Sequence, residues 1–323
     1  MADAMARAAH AVRSGVVDER RIWTLSSRDA GLQVSFAPEL GMVAFSMLHA
    51  GEELLGQRSG LAAYARSGAT MGIPLLYPWA NRLGGFRYRF AGRTVTIDGG
   101  TPLDEHGLPI HGLRRAVQGW SLTGSGADGD AAWVRAQLDV GRRSDVLSAF
   151  PFPHSVGVET TLRGSALTIA TTVRPTADVA VPVAFGYHPY LRLPHLARAA
   201  WRVEMPAMRR LELDERGIPT GRSEAFRPVL GPLGRRTFDD GFVLAADRGE
   251  RFVLAGGGRR MEVVFEEGYP CAQVFAPPDD DVVCFEPMTA PTDALRGCLG
   301  PPPAVTPGDR YRARFTIAVT RDS

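Results

Sequence analysis

Ser155-Val156-Gly157-Val158-Glu159-Thr160-Thr161-Leu162 and Leu167-Thr168-Ile169-Ala170-Thr171-Thr172-Val173 alternate apolar and polar side chains, with a Gly-bearing break between the two runs. Period-two alternation with β-branched residues is the pattern of a half-buried strand. The same pattern recurs at Leu32 to Phe36, Trp133 to Val140, Met261 to Phe265, Ala272 to Phe275, Val282 to Phe285 and Tyr311 to Val319. Asp98-Gly99-Gly100, the Gly124 to Gly129 stretch, Gly256-Gly257-Gly258 and Asp279-Asp280-Asp281 separate neighbouring segments as hairpin connections do. Apolar residues at helical spacing occur only over residues 2 to 14, so an alternating βαβ architecture is excluded. The expectation is an all-β chain, a large single-domain antiparallel β-sandwich over residues 21–323, after an N-terminal leader of helical spacing over residues 1–20.

The chain has 323 residues, and its 36 Gly and 24 Pro scatter as punctuation without pooling into a linker. That favours one large β-domain over the two that length alone suggests. Hydrophobic residues are 45% and charged residues 22%, the usage of a folded globular chain. A formal charge of +2 supplies no field for a nucleic-acid backbone or an anionic bilayer, so neither is an expected partner. All 37 basic residues are Arg, which excludes chemistry that needs a Schiff-base or P-loop lysine. Cys271, Cys284 and Cys298 match neither a disulfide framework nor a zinc knuckle and read as reduced thiols. No stretch approaches the ~20 apolar residues of a membrane helix, and the N-terminus lacks the apolar run of a secretory signal. The cytoplasm is the expected compartment.

Five segments carry unusual polar residues. In Pro74-Leu75-Leu76-Tyr77-Pro78-Trp79-Ala80-Asn81-Arg82 an extended, aromatic-bearing run ends in the chain's single Asn. Arg82 there either enters a pocket or follows an edge strand at the surface. Glu105 to Leu113 holds His106 and His111 in a Gly- and Pro-bearing loop; with no further ligands at metal spacing, hydrogen bonding by His111 is expected and metal binding is not. In Phe185-Gly186-Tyr187-His188-Pro189-Tyr190 a strand-end His stands among aromatics, either as a proton-transfer group or as a satisfied core histidine. In Val282-Val283-Cys284-Phe285-Glu286-Pro287 a carboxylate interrupts an apolar strand, a costly arrangement unless Glu286 is paired or kept for chemistry. Asp239-Asp240-Gly241-Phe242 pairs two carboxylates at a turn-like site.

Taken in order, "PLLYPWANRLGG", "LPIHGL", "FGYHPYLRLP", "FDDGF" and "CFEPMTAPTDAL" resemble the aldose 1-epimerase (galactose mutarotase-like) family over residues 74 to 295. The resemblance implies a galactose mutarotase-like supersandwich, an open cleft, no cofactor and a small-molecule sugar as partner, in a monomer or homodimer. It implies Glu286 as general base and His188 as general acid. It also places His111, Arg82, Asp239, Asn81 and Tyr187 around the sugar, with Asp240 as the alternative to Asp239. Tyr187 stands where Asn is usual before the acid, and Pro287-Met288-Thr289 after the base also departs from the common pattern. The sugar is therefore left open between a free aldose, a hexose 6-phosphate and a specialised substrate, and a non-catalytic carbohydrate-binding role is the alternative to catalysis.

Overall fold

The computed structural model describes residues 9–97, 99–246 and 249–321. The two runs that decide the fold become strands His154–Arg163 and Ala166–Pro175, antiparallel from His154 opposite Pro175 to Arg163 opposite Ala166. Val156, Val158, Thr160 and Leu162 point inward along one strand, and Leu167, Ile169, Thr171 and Val173 along the other. Each fully buried Val, Leu or Ile contributes about 1.5–3 kcal/mol relative to exposure, which sets the register because a one-residue slip would turn every apolar side chain outward.

This pair lies in the interior of a nine-stranded sheet, beside its central strand Tyr311–Arg321. A seven-stranded sheet lies against it, with strands in the spatial order Pro219–Phe226, Met208–Leu213, Phe238–Leu244, Cys271–Ala276, Cys284–Met288, Gly186–Tyr187 and Leu75–Leu76. One apolar cluster joins their inner faces. Phe252 of the larger sheet stacks on Phe285 of the smaller at 5.2 Å, and Phe315 meets Tyr187 at 5.1 Å. A five-stranded sheet begins at His10–Val17 and Arg20–Ser27. Among the described residues helix is limited to short pieces, the longest Gly60–Ser67. No helix among the described residues is long and apolar enough to cross a membrane.

One expectation changes. From His10 the chain is a strand paired residue for residue with Arg20–Ser27, so the helical spacing is not followed over residues 10 to 14. A helix that short is marginal in water, and a hairpin that packs Val12 against the core satisfies the same backbone better; residues 1–8 lie outside the described residues, as does Asp98 of the Asp98-Gly99-Gly100 turn. The apolar run Val179 to Phe185 is a strand only at Val181–Pro182, interrupted as it enters the seven-stranded sheet at Gly186–Tyr187. Strands such as Met208–Leu213 and Pro219–Phe226 were invisible because Arg209, Arg210 and Arg222 break the apolar alternation.

Candidate active site

Four neighbouring elements of the seven-stranded sheet bring the chemistry together. Asp239 lies on Phe238–Leu244, Gln273 on Cys271–Ala276, Glu286 directly opposite Gln273 on Cys284–Met288, and His188 just beyond Gly186–Tyr187. The segment after Leu75–Leu76 adds Asn81 and Arg82. The chain's single Asn sits at φ 55°, the left-handed region that Asn tolerates better than most side chains. Its carbonyl accepts the His111 N–H at 3.0 Å, tying the two loops together. Gly112 is required next to it, since a Cβ there would meet the Tyr77 carbonyl oxygen at 2.1 Å.

These residues enclose a cavity of about 340 Å³, lined by Arg58, Thr70, Asn81, Arg82, Glu105, Ile110, His111, His188, Tyr190, Asp239, Gln273, Phe275 and Glu286. Glu286 Oε1 lies 3.2 Å from His188 Nε2. Glu286 Oε2, His188 Nδ1 and His111 Nδ1 are buried without a hydrogen-bond partner, three orphaned polar atoms in one cavity. The His188 ring stacks on Tyr190 at 4.2 Å and meets His111 edge-on at 5.7 Å. Tyr190 is itself fixed, its hydroxyl 2.5 Å from Thr70 Oγ1 and receiving a hydrogen bond of 3.0 Å from Arg58.

Burial drives the Glu286 carboxyl well above the ordinary carboxylate range; the nearby Asp239 charge adds to this and Arg82 opposes it. Burial also drives the His188 imidazole well below its ordinary value, reinforced by His111 and Arg58. His111 falls to about 4 through burial and the Arg82 charge, so it is neutral at physiological pH. For the pair, the desolvated site disfavours both the state with no proton and the state with two. Glu286 and His188 therefore share one proton over a wide pH range. Arg82 donates from Nε to Asp104 Oδ2 at 2.8 Å and approaches Asp239 Oδ2 at 3.9 Å, while Gln273 donates to Asp239 Oδ1 at 2.7 Å.

Six of the eight expected residues thus line the cavity: Glu286, His188, His111, Arg82, Asp239 and Asn81. Tyr187 does not. Its side chain is fully buried in the core with its hydroxyl 2.7 Å from Thr171 Oγ1, because Tyr187 and His188 project to opposite sides of an extended segment. Asp240 is also turned away; it faces a separate hollow beside Arg210, 3.8 Å distant, so of the two adjacent aspartates Asp239 is the one that lines the cavity. Arg58, Thr70, Tyr190, Gln273, Phe275 and Glu105 were missed. Tyr190 is readable in hindsight two residues after His188, on the same side of an extended segment. Gln273 and Phe275 are placed by strand pairing, and Arg58, Thr70 and Glu105 stand on loops that only the fold brings to the cavity. Among the described residues no group of three or more His, Cys, Asp or Glu is placed to hold a metal ion.

The sequence profile described as aldose 1-epimerase matches residues 23–318. The fold is similar to that of a galactose mutarotase-like protein from Clostridium acetobutylicum, 16% identical, with 97% of this chain and 99% of that one covered and a TM-score of 0.82. It is also similar to galactose 1-epimerase from Lactobacillus acidophilus, 16% identical, covering 97% and 100% with a TM-score of 0.76. An aldose epimerase homologue from C. elegans is 15% identical, covering 98% and 100% with a TM-score of 0.73. No curated protein sequence matches at a significant level. The profile match over nearly the whole chain, joined to a mutarotase-like fold, makes this chain a member of the aldose 1-epimerase family.

Proposed function

We propose that the chain interconverts the α and β anomers of an aldose by acid–base opening and reclosure of the sugar ring. The observation that carries this is the buried Glu286–His188 pair, 3.2 Å apart, with an unpartnered polar atom on each side chain facing one cavity. Opening the ring removes a proton from the anomeric hydroxyl and delivers one to the ring oxygen, and both oxygens are bonded to the same carbon. Two proton-transfer groups held side by side are what that geometry demands.

From the form of the one-proton pair that carries its proton on His188, Glu286 as carboxylate takes the hydroxyl proton while His188 gives its proton to the ring oxygen, and the carbon–ring-oxygen bond breaks to leave the open-chain aldehyde. The pair holds one proton before and after, having moved it from the imidazole to the carboxyl. Rotation about the first carbon–carbon bond presents the other face of the aldehyde. Reclosure runs the transfers backwards, so no net proton and no electron is exchanged. Arg82, Asp239 and neutral His111 are placed to bind the remaining hydroxyls, with Tyr190 and Phe275 as the apolar walls.

The test is polarimetry on freshly dissolved α-glucose and α-galactose, with glucose 6-phosphate as a third substrate. Faster decay of optical rotation than in buffer is the expected result with at least one of them. Binding of these sugars with no acceleration would assign the cavity to carbohydrate recognition instead.

A further inference from the structure

Arg82 is gripped by two turns that share one plan. Asp104-Glu105-His106-Gly107-Leu108-Pro109 and Asp214-Glu215-Arg216-Gly217-Ile218-Pro219 match in pattern at every position. In the first, Asp104 Oδ1 accepts the N–H groups of His106 at 2.9 Å and Leu108 at 2.8 Å. In the second, Asp214 Oδ1 accepts those of Arg216 and Ile218, both at 2.9 Å. Gly107 and Gly217 share a φ of 72°. Each turn closes with the Gly N–H on the Asp carbonyl at 3.0 Å.

The turns differ at the other carboxylate oxygen. Asp214 Oδ2 is taken within its own turn by Arg216 at 2.9 Å. The first turn has His106 at that position, and Asp104 Oδ2 instead accepts Arg82 Nε at 2.8 Å, with the Asp104 side chain only 1% exposed. The second turn meets Arg82 from another side: a Cβ on Gly217 would lie 3.3–3.4 Å from Arg82 Cδ, Cζ and Nε, so the bare glycine backbone forms the seat of the guanidinium. With Nε held by Asp104, the terminal nitrogens are left toward Asn81, Glu105 and Asp239 at the cavity wall.

The geometry points to Asp104 as the positioning residue for Arg82, in a clasp whose two halves are these matched turns. The clasp pre-orients the fork that meets the substrate's hydroxyls, and in this it rests on the sugar reading given above. Asp104→Asn keeps an oxygen for the two backbone donors but turns an amide N–H against the Arg82 Nε–H. Asp128→Asn makes the same change in a turn outside the cavity lining, where Asp128 Oδ1 accepts the N–H groups of Asp130 at 2.8 Å and Ala131 at 2.9 Å.

Two measurements separate the clasp from the sugar reading. The first needs no sugar: the Arg82 Nε–H resonance, assigned by its loss in Arg82→Ala, exchanges slowly with water in wild type and in Asp128→Asn, and about tenfold faster or more in Asp104→Asn. The second is anomerisation, in which Asp104→Asn raises KM about tenfold while kcat stays within about threefold, and Asp128→Asn changes neither. Unaltered Nε–H exchange in Asp104→Asn overturns the clasp. Faster exchange with an unaltered KM overturns the positioning role. A wild type that accelerates no sugar overturns the sugar reading, and the exchange measurement still decides the clasp. Should Asp104→Asn fail to fold, His106→Arg gives the first turn the guanidinium that occupies Asp214 in the second, and is read by the same two measurements with the same outcomes.

Discussion

His154 and His188 are both buried histidines, and they teach different lessons. His154 is fully buried with both ring nitrogens engaged, one by the Tyr77 hydroxyl and one by the Phe152 carbonyl. Burial depresses it to about 4, yet it lines neither the cavity around Glu286 nor the hollow beside Arg210. His188 is also depressed by burial, but only Nε2 has a polar partner, a carboxylate that is itself desolvated, and Nδ1 has none. A perturbed histidine is therefore not by itself the mark of a site. The mark is the unsatisfied remainder: His188, Glu286 and His111 each leave a polar atom without a partner in one cavity, whereas His154 leaves none.

The most severe way to break this contrast is Glu286→Gln. The expected loss of anomerisation is about 10³-fold, within the range of a single general acid–base group. The fold is kept, because the neutral amide removes a group whose ionisation the site opposes. With its folded pKa raised, wild-type Glu286 loses stability as the pH climbs above the unfolded value near 4.5. Urea melts at pH 5 and pH 8 are expected to place the variant at or above wild type, with the larger margin at pH 8. His188→Asn follows, with an expected loss of about 10²-fold in rate measured by polarimetry and an unchanged circular dichroism spectrum.

His154→Phe reverses the pattern. It leaves the Tyr77 hydroxyl and the Phe152 carbonyl buried without their partner, at a cost of about 3 kcal/mol in a denaturant titration, while kcat per folded molecule stays within about twofold. It also tests the acid side of the stability curve. The folded pKa of His154 is about 4 against 6.5 for an unperturbed histidine, so below pH 6.5 the unfolded chain gains a proton that the folded chain refuses. Its share of the stability is lost as the pH falls, reaching on the order of 3 kcal/mol by pH 4, and the variant's curve between pH 7 and pH 4 is flatter by that amount. The smallest effect is that of Tyr187→Phe. Losing the bond to Thr171 costs about 1 kcal/mol and leaves KM unchanged, as befits a core side chain.

Much of this was legible in the residues. Alternation at 155–162 and 167–173 gave the sandwich because those strands are apolar on one face only, and Glu286 drew attention because a carboxylate inside an apolar run needs a reason. Tyr187 misled because sequence proximity to His188 hides the fact that adjacent residues of an extended segment face opposite ways. Asp239 and Asp240 posed the same ambiguity, which only the direction of the strand resolves. Gln273 and the Asp104–Arg82 bond depend on contacts across 13 and 22 residues of chain respectively, and no local pattern encodes them.

The most direct test of the central claim is NMR exchange spectroscopy on an equilibrated mixture of galactose anomers, with wild type, Glu286→Gln and His154→Phe measured side by side. The account predicts accelerated α–β exchange with wild type and His154→Phe and none above buffer with Glu286→Gln. Wild-type exchange in Glu286→Gln, or exchange abolished in a folded His154→Phe, would contradict it.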